Sequence, residues 1–392
     1  MPNFHTTTLK HLVYPFSHKE TVFHFEATSS RGNTLIMTTT DEQQLFLRIH
    51  QKAQGGYLIK GDKVTRPTEA QFLQKTLVNF RDIACEDVSH SNIEPKKFLQ
   101  AKHSAYLKEI DFFANAFHTM QEIWIEIGFG SGRHLLHQAK KNPHIQFIGL
   151  EIHKPSIAQV LKQCELQGIT NILVLDYDAR LFMEFLASNS VGRIFVHFPV
   201  PWDKKPHRRV FSEAFIEEAM RVLIPQGTLE LRTDSQLYFE FAFGIIMQLS
   251  KANVHVHKNA QLEISSKYED RWRKMDKDIY DIILTNETHS PSISKMPTLD
   301  FEKRIDFAIV QRNFKEENIR GDGFFLHFEE LFVINDKSGL IRLSMGANER
   351  NEKVYVWIQE DGKVVYLPTI LATKNNVAAH NLMKEWFDGI RH

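Results

Sequence analysis

Between Gln121 and Ser250 short apolar runs alternate with longer stretches whose apolar residues recur every three or four positions. The apolar runs predict strands at Ile123–Ile127, Gln146–Glu151, Ile172–Leu175, Arg193–Phe198 and Thr228–Arg232. The periodic stretches predict helices at Gly132–Lys141, Pro155–Gln167, Ala179–Leu186, Ser212–Val222 and Ser235–Ser250. Pro155 suits a first helical turn, where its missing N–H costs nothing, and Gly168 suits a C-terminal stop. Pro225-Gln226-Gly227 reads as a turn. Regular β-α alternation predicts a Rossmann-like α/β fold, a doubly wound and mostly parallel sheet with helices on both faces. Such sheets bind ligands past the carboxyl ends of their strands, near the point where strand order reverses.

The pattern changes on either side. Upstream, strand-like pieces at Thr21–Ala27, Thr34–Thr39 and Leu45–His50 precede a mostly helical stretch from about Thr68. Downstream, strand patterns occupy Gly323–Ile334, Gly339–Met345 and Lys353–Gln359. The last of these runs through Glu360-Asp361-Gly362 into Lys363–Leu367, a hairpin signal. An amphipathic helix is expected over about Asn376–Ile390. The stretch from Thr285 to Thr298, rich in Ser, Pro, Asn and Thr, reads as a linker. Three sections follow: an α+β extension over 1–110, the alternating domain over 111–286, and a strand-rich extension over 287–392. Nothing in the two outer sections picks a role for them.

Composition narrows the picture in a few respects. The chain has 392 residues, more than one typical core, so several domains are expected. Its 48 basic and 48 acidic side chains cancel, so any basic surface for nucleic acid must be local. Cys85 and Cys164 stand far apart, without the spacing of a disulfide framework or a zinc site. His134 and His137 lie one helical turn apart with no third ligand evident, and read as ordinary helix residues; no metal is expected. Residues 1–19 lack the apolar core of a signal peptide, and no run approaches a membrane span. A cytoplasmic protein is the simplest expectation, of unknown oligomeric state.

The chemistry gathers at the predicted strand ends. The first strand runs into Glu126, then a turn with Gly128, Gly130 and Gly132 before a helix. Glycines there let backbone approach a ligand closely. The second strand ends in Glu151, about twenty residues on, where such folds hold a ribose. A dinucleotide fingerprint wants G-x-G-x-x-G and a pyrophosphate on the helix N-terminus. Here the spacing is G-x-G-x-G, with a carboxylate two positions before it. That suits a cofactor without phosphate and with cationic groups, and S-adenosylmethionine carries a sulfonium and an ammonium. After the third strand comes Asp178-Ala179, where the acid suits an acceptor for adenine's exocyclic amine and a helix N-cap, two compatible roles. After the fourth come Val200 and a basic run, Lys204, Lys205, His207, Arg208 and Arg209. That run past a strand end suits substrate phosphate contact. After the fifth comes Thr233-Asp234, an acid suited to a base edge. Further on, Ser266-Lys267-Tyr268-Glu269 precedes Arg271, Arg273, Lys274 and Lys277, and Tyr268 suits base stacking.

Together these pieces resemble the bacterial tRNA (guanine-N7)-methyltransferases. That family shows E-I-G-F-G, G-I-E-x-H, an acid-Ala pair, F-P-D-P-W-x-K, T-D and T-K-F-E, in that order. Here they correspond to Glu126–Gly130, Gly149–His153, Asp178-Ala179, Phe198–Lys204, Thr233-Asp234 and Ser266–Glu269. The resemblance covers about Phe112–Asn286; the outer sections have no counterpart in the compact family core. It implies a class I methyltransferase core that moves a methyl group from S-adenosylmethionine to guanine N7 in tRNA, at position 46 of the variable loop. It implies cofactor contacts from Glu126, Gly128, Gly130, Gly132, Glu151, Ile152, Asp178, Ala179 and the Val200 position. It implies tRNA contacts from Lys204, Lys205, Arg208, Arg209, Asp234, Ser266, Lys267, Tyr268 and Glu269, with Asp234 and Glu269 nearest the chemistry. Val200 departs from the family aspartate, and Asp203 is the nearest candidate to compensate. A small-molecule methyltransferase shares the glycine loop without needing the basic tail. A non-catalytic RNA-binding protein on this fold is the other alternative.

Overall fold

The computed structural model describes residues 2–53, 55–93, 104–115, 117, 119–264, 269, 275–293, 297–347 and 350–390. The chain forms two compact units: Met1–Lys102 with Pro297–His392, and His103–Met296. The middle section is thus inserted into a unit that both outer sections build.

The inserted unit holds seven strands: Ile123–Ile127, Gln146–Leu150, Ile172–Leu175, Val191–His197, Leu223–Thr233, Asn253–Lys258 and Tyr280–Thr285. Their order across the sheet is third, second, first, fourth, fifth, seventh, sixth. The first five run parallel, and the seventh lies antiparallel between the fifth and sixth. Parallel strands covered on both faces must be apolar throughout. Ile125, Ile148, Val174, Ile194, Val196 and Leu229 are accordingly fully buried. The five expected helices lie at Arg133–Lys141, Lys154–Gln167, Ala179–Phe185, Glu213–Val222 and Gln236–Ile246. Ser212 and Ser235 cap the last two by accepting from the N–H of Phe215 and Tyr238. Gly168 closes the second in the left-handed region, φ +62°.

Two local expectations change. Pro225-Gln226-Gly227 lies inside the fifth strand, which begins at Leu223. Gln226 keeps a turn-like φ of +68°, but its N–H bonds the Asn286 carbonyl at 2.7 Å, so pairing with the returning chain continues through the irregularity. The sixth and seventh strands form an added antiparallel edge, masked in the sequence by Asp281 within an apolar run and by the polar spacing of Asn253–Lys258. Strand order reverses between the first and fourth strands, so the loops leaving them part and open a crevice.

In the other unit the two outer sections share one twelve-stranded sheet. Strand Thr21–Ser29 pairs antiparallel with Phe324–Asn335 through Thr28 opposite Val333 and Ser29 opposite Phe332. Ser29 Oγ and Asn33 Nδ2 both donate to Glu330 at 2.6 Å across that seam. The two expected extensions are therefore one unit, because each half leaves an edge strand that the other pairs. Helix Ala70–Ala84 sets Leu73, Leu77 and Phe80 on Phe4, Phe23 and Leu47. Helix Lys374–Gly389 sets Ala379, Met383 and Phe387 on Leu326, Phe328 and Ile341. A third cluster joins the halves, with Leu35, Met37 and Phe46 against Phe332, Leu340 and Tyr355. The Phe46 and Tyr355 rings meet at 5.1 Å although four strands separate theirs in the sheet, so the sheet coils on itself. Gly362, φ +80°, turns the expected hairpin, and Asp361 accepts from the Lys363 N–H at 2.9 Å. Among the described residues no helix is long and apolar enough to cross a membrane.

Candidate methyl-transfer site

Gly128, Gly130 and Gly132 all have positive φ, at +68°, +52° and +72°. At Gly132 a Cβ would stand 2.2 Å from Val160 Cγ2, so this glycine lets the first helix start against the second. At Gly128 a Cβ would meet nothing within 4 Å, which is the open side of the turn. A cavity there is lined by Glu126, the glycine turn, Arg133, His134, His197 and Glu269.

The acids at the strand ends hold distinct partners. Glu126 is buried, and its Oε2 accepts from His134 Nδ1 at 2.8 Å. Glu151 ties the second strand to the glycine turn: one oxygen accepts from the Gly130 N–H, the other from Ile152 and His153, each at 2.9 Å. The Ile152 side chain beside it is exposed. Asp178 caps the third helix, accepting from the Arg180 N–H at 2.9 Å and from its guanidinium at 3.0 and 2.7 Å. Ala179 next to it is buried.

The loop past the fourth strand turns on two strained residues, Phe198 (φ +49°) and Trp202 (φ +47°). Lys204, Lys205 and Arg208 are exposed, with the Arg208 guanidinium 5.1 Å over the Trp202 ring. Arg209 differs from the expectation of a phosphate contact. It is buried, donates to the Pro201 and Leu237 carbonyls at 2.7 and 3.4 Å, and lies 4.9 and 4.6 Å from the Tyr238 and Phe241 rings. A side chain spent on holding the loop cannot reach a phosphate. Asp203 also turns to it, 3.3 Å from the guanidinium, so Asp203 belongs to the loop's anchor. Val200 is 61% exposed; it packs as no wall.

Past the fifth strand Asp234 accepts from Lys277 at 3.0 Å. Glu269 is buried, with both oxygens on Arg232 at 2.8 and 3.3 Å. Arg232 also donates to both oxygens of Asp281, at 2.5 and 2.6 Å. Sequence reasoning passed over Arg232; its signal is an arginine near the buried carboxyl end of a strand, which needs buried acids. Ser266, Lys267, Tyr268, Arg271, Arg273 and Lys274 lie outside the described residues.

His134 was expected to be an ordinary helix residue, yet it lines the site. Its ring is 4.6 Å from His197 and 4.8 Å from Phe195. Burial works to lower its pKa, but the charge and hydrogen bond of Glu126 outweigh it, and the pKa is raised. His197 goes the other way: burial, then His134 and Arg232, push its pKa well below 6.5.

A parallel sheet with an antiparallel seventh strand and an acid-glycine turn at its switch point defines a class I methyltransferase. Residues 120–282 match a family model described as "Putative methyltransferase". A Wolinella succinogenes protein named tRNA (guanine-N(7)-)-methyltransferase is 41% identical over 98% of this chain and 100% of its own. Proteins of the same name from Campylobacter jejuni and Helicobacter pylori are 39% and 38% identical, over 98% and 96% of this chain and 98% and 94% of theirs. The chain belongs to the tRNA (guanine-N7)-methyltransferase family. These relatives share both outer sections as well as the inserted unit. An rRNA methylase from Streptococcus thermophilus superposes with a TM-score of only 0.32 at 11% identity, over 45% of this chain and 93% of its own.

Proposed function

We propose that the protein transfers a methyl group from S-adenosylmethionine to N7 of a guanine in tRNA. The observation that carries this reading is the 36–41% identity, over nearly the whole chain, to proteins named for that reaction. When bound, the cofactor supplies an electrophilic methyl group on a sulfonium sulfur. The residues fit it: the turn at Gly128 is open, and the carboxylates of Glu126 and Glu151 flank it. In this reading Glu126 faces the cationic methionine part, and Glu151 with Ile152 takes the ribose. Asp178 and Ala179 stand beside adenine, Asp178 through a carboxylate already held by Arg180. Val200 leaves its place at the mouth uncharged.

Guanine N7 has a lone pair and no proton, so no general base is needed. The protein's task is to align the reactants and exclude water. The product base is cationic, and Asp234 and Glu269 offset that charge. Arg232 fixes Glu269 for this, and Lys277 steadies Asp234. Lys204, Lys205 and Arg208 meet tRNA phosphates, and Ser266, Lys267 and Tyr268 complete the substrate side as the resemblance implies. The target is position 46 of the variable loop, and the setting is the cytoplasm. Incubation with labelled S-adenosylmethionine and unmodified tRNA, followed by nucleoside analysis, is expected to yield 7-methylguanosine. Tight tRNA binding without methyl transfer reassigns the chain as a non-catalytic RNA-binding protein.

A further inference from the structure

The cofactor and its spent form differ by one charge. S-adenosylmethionine carries a sulfonium; S-adenosylhomocysteine, left after transfer, carries a neutral thioether. A local charge near the sulfur distinguishes the two. Glu126 faces the cationic methionine part in the reading above; the inference rests on that reading and takes the sulfonium to be within reach of its charge. Glu126 is not alone: its carboxylate is bonded to His134 Nδ1 at 2.8 Å, with both side chains buried and little screened by solvent.

We infer that His134 is a positioning residue that sets the effective charge of Glu126, and so how strongly the site prefers the sulfonium cofactor to its thioether product. With the ring protonated, the pair is neutral and offers a sulfonium little attraction. With the ring neutral, Nδ1–H still donates to Glu126, so the carboxylate keeps its position while the pair carries a full negative charge. The nitrogen that titrates is Nε2. It lies 3.3 Å from the Gln138 side-chain amide, which presents either its NH₂ or its oxygen and so serves both states.

The surroundings single out His134. From the fourth strand, His197 faces it and is held neutral by burial. From the fifth, Arg232 acts on it but is itself matched by Glu269 and Asp281. Glu230, on that same strand, adds a further carboxylate whose own pKa burial raises. Arg133 precedes it on its own helix. A sulfonium beside this pair favours the neutral ring, so cofactor binding expels a proton to solvent and product binding does not.

Calorimetry of each ligand separately, from about pH 5.5 to 8 across the ordinary histidine range, tests this on wild type, His134→Gln and Glu126→Gln. In wild type the ratio of the S-adenosylhomocysteine Kd to the S-adenosylmethionine Kd is expected to rise with pH, by roughly three- to tenfold. In His134→Gln the rise disappears. The ligands' own ammonium groups titrate alike in both proteins, so the difference between proteins reports His134. If Glu126→Gln binds S-adenosylmethionine as tightly as wild type, the cofactor placement fails and the inference with it. If Glu126→Gln weakens binding but the pH dependence of the ratio is the same with and without His134, only the inference fails. Should His134→Gln not fold, a histidine-ring NMR titration of wild type decides. A lower His134 pKa with S-adenosylmethionine than with S-adenosylhomocysteine supports the inference, and equal values overturn it.

Discussion

At the scale of single residues, adjacent basic side chains have different work. Arg209→Ala empties a site between two rings and orphans carbonyls, so it is expected to lower stability by about 2–4 kcal/mol in urea unfolding. Neutralising Lys204 and Lys205 together is expected to leave stability unchanged, weaken tRNA binding and reduce its log–log salt slope by about two. Arg232 is a sharper case. Arg232→Met removes the guanidinium that the buried Glu269 and Asp281 share, which costs about 3–5 kcal/mol. His197 gives a pH dependence with a definite sign. Its folded pKa is depressed, so its contribution is intact above about 6.5 and is lost as pH falls from there towards the folded value. His197→Gln is expected to flatten that acid limb in thermal melts taken across the range. The phosphate role of Lys204 and Lys205 was read from their place past a strand end, but the work of Arg209, Arg232 and His197 was not legible in the sequence alone. Periodicity tells which residues face inward, but not which charged side chains from distant strands converge on one another.

At the scale of elements, much more was legible. The five parallel strands and their helices follow from alternating apolar runs, and the glycine turn follows from its spacing. The residues past each strand end could be singled out as candidates because strand direction dictates where those loops gather, and Glu126 and the glycine turn do line one cavity. What stayed hidden was the antiparallel edge, because Asn253–Lys258 is exposed and its polar spacing imitates a loop. The close approach of the first two helices yields a test. Gly132→Ala meets Val160 at 2.2 Å from a residue already at φ +72°, so both crowding and backbone strain oppose it. A loss of about 2–4 kcal/mol is expected in chemical unfolding, with cofactor affinity falling as the turn shifts.

At the scale of the whole molecule, local patterning found the strands of the outer sections but not their union. A pairing between Ser29 and Phe332 leaves no trace in either stretch by itself. Removal of 297–392 is therefore expected to unfold 1–102 as well, read as loss of the strand signal in circular dichroism and rapid proteolysis of the N-terminal section. That seam also sets a timetable for synthesis. The ribosome releases Ser29 roughly 300 residues before Phe332, which at about 5–20 residues per second is some 15–60 s. Through that interval the early strands wait with an open edge and half a core, while the inserted unit needs no residue later than Met296 and is complete before Phe332 emerges. Nascent chains of this protein are thus expected to lean on ribosome-associated chaperones through their first hundred residues, and to lose that dependence only when the last strands emerge.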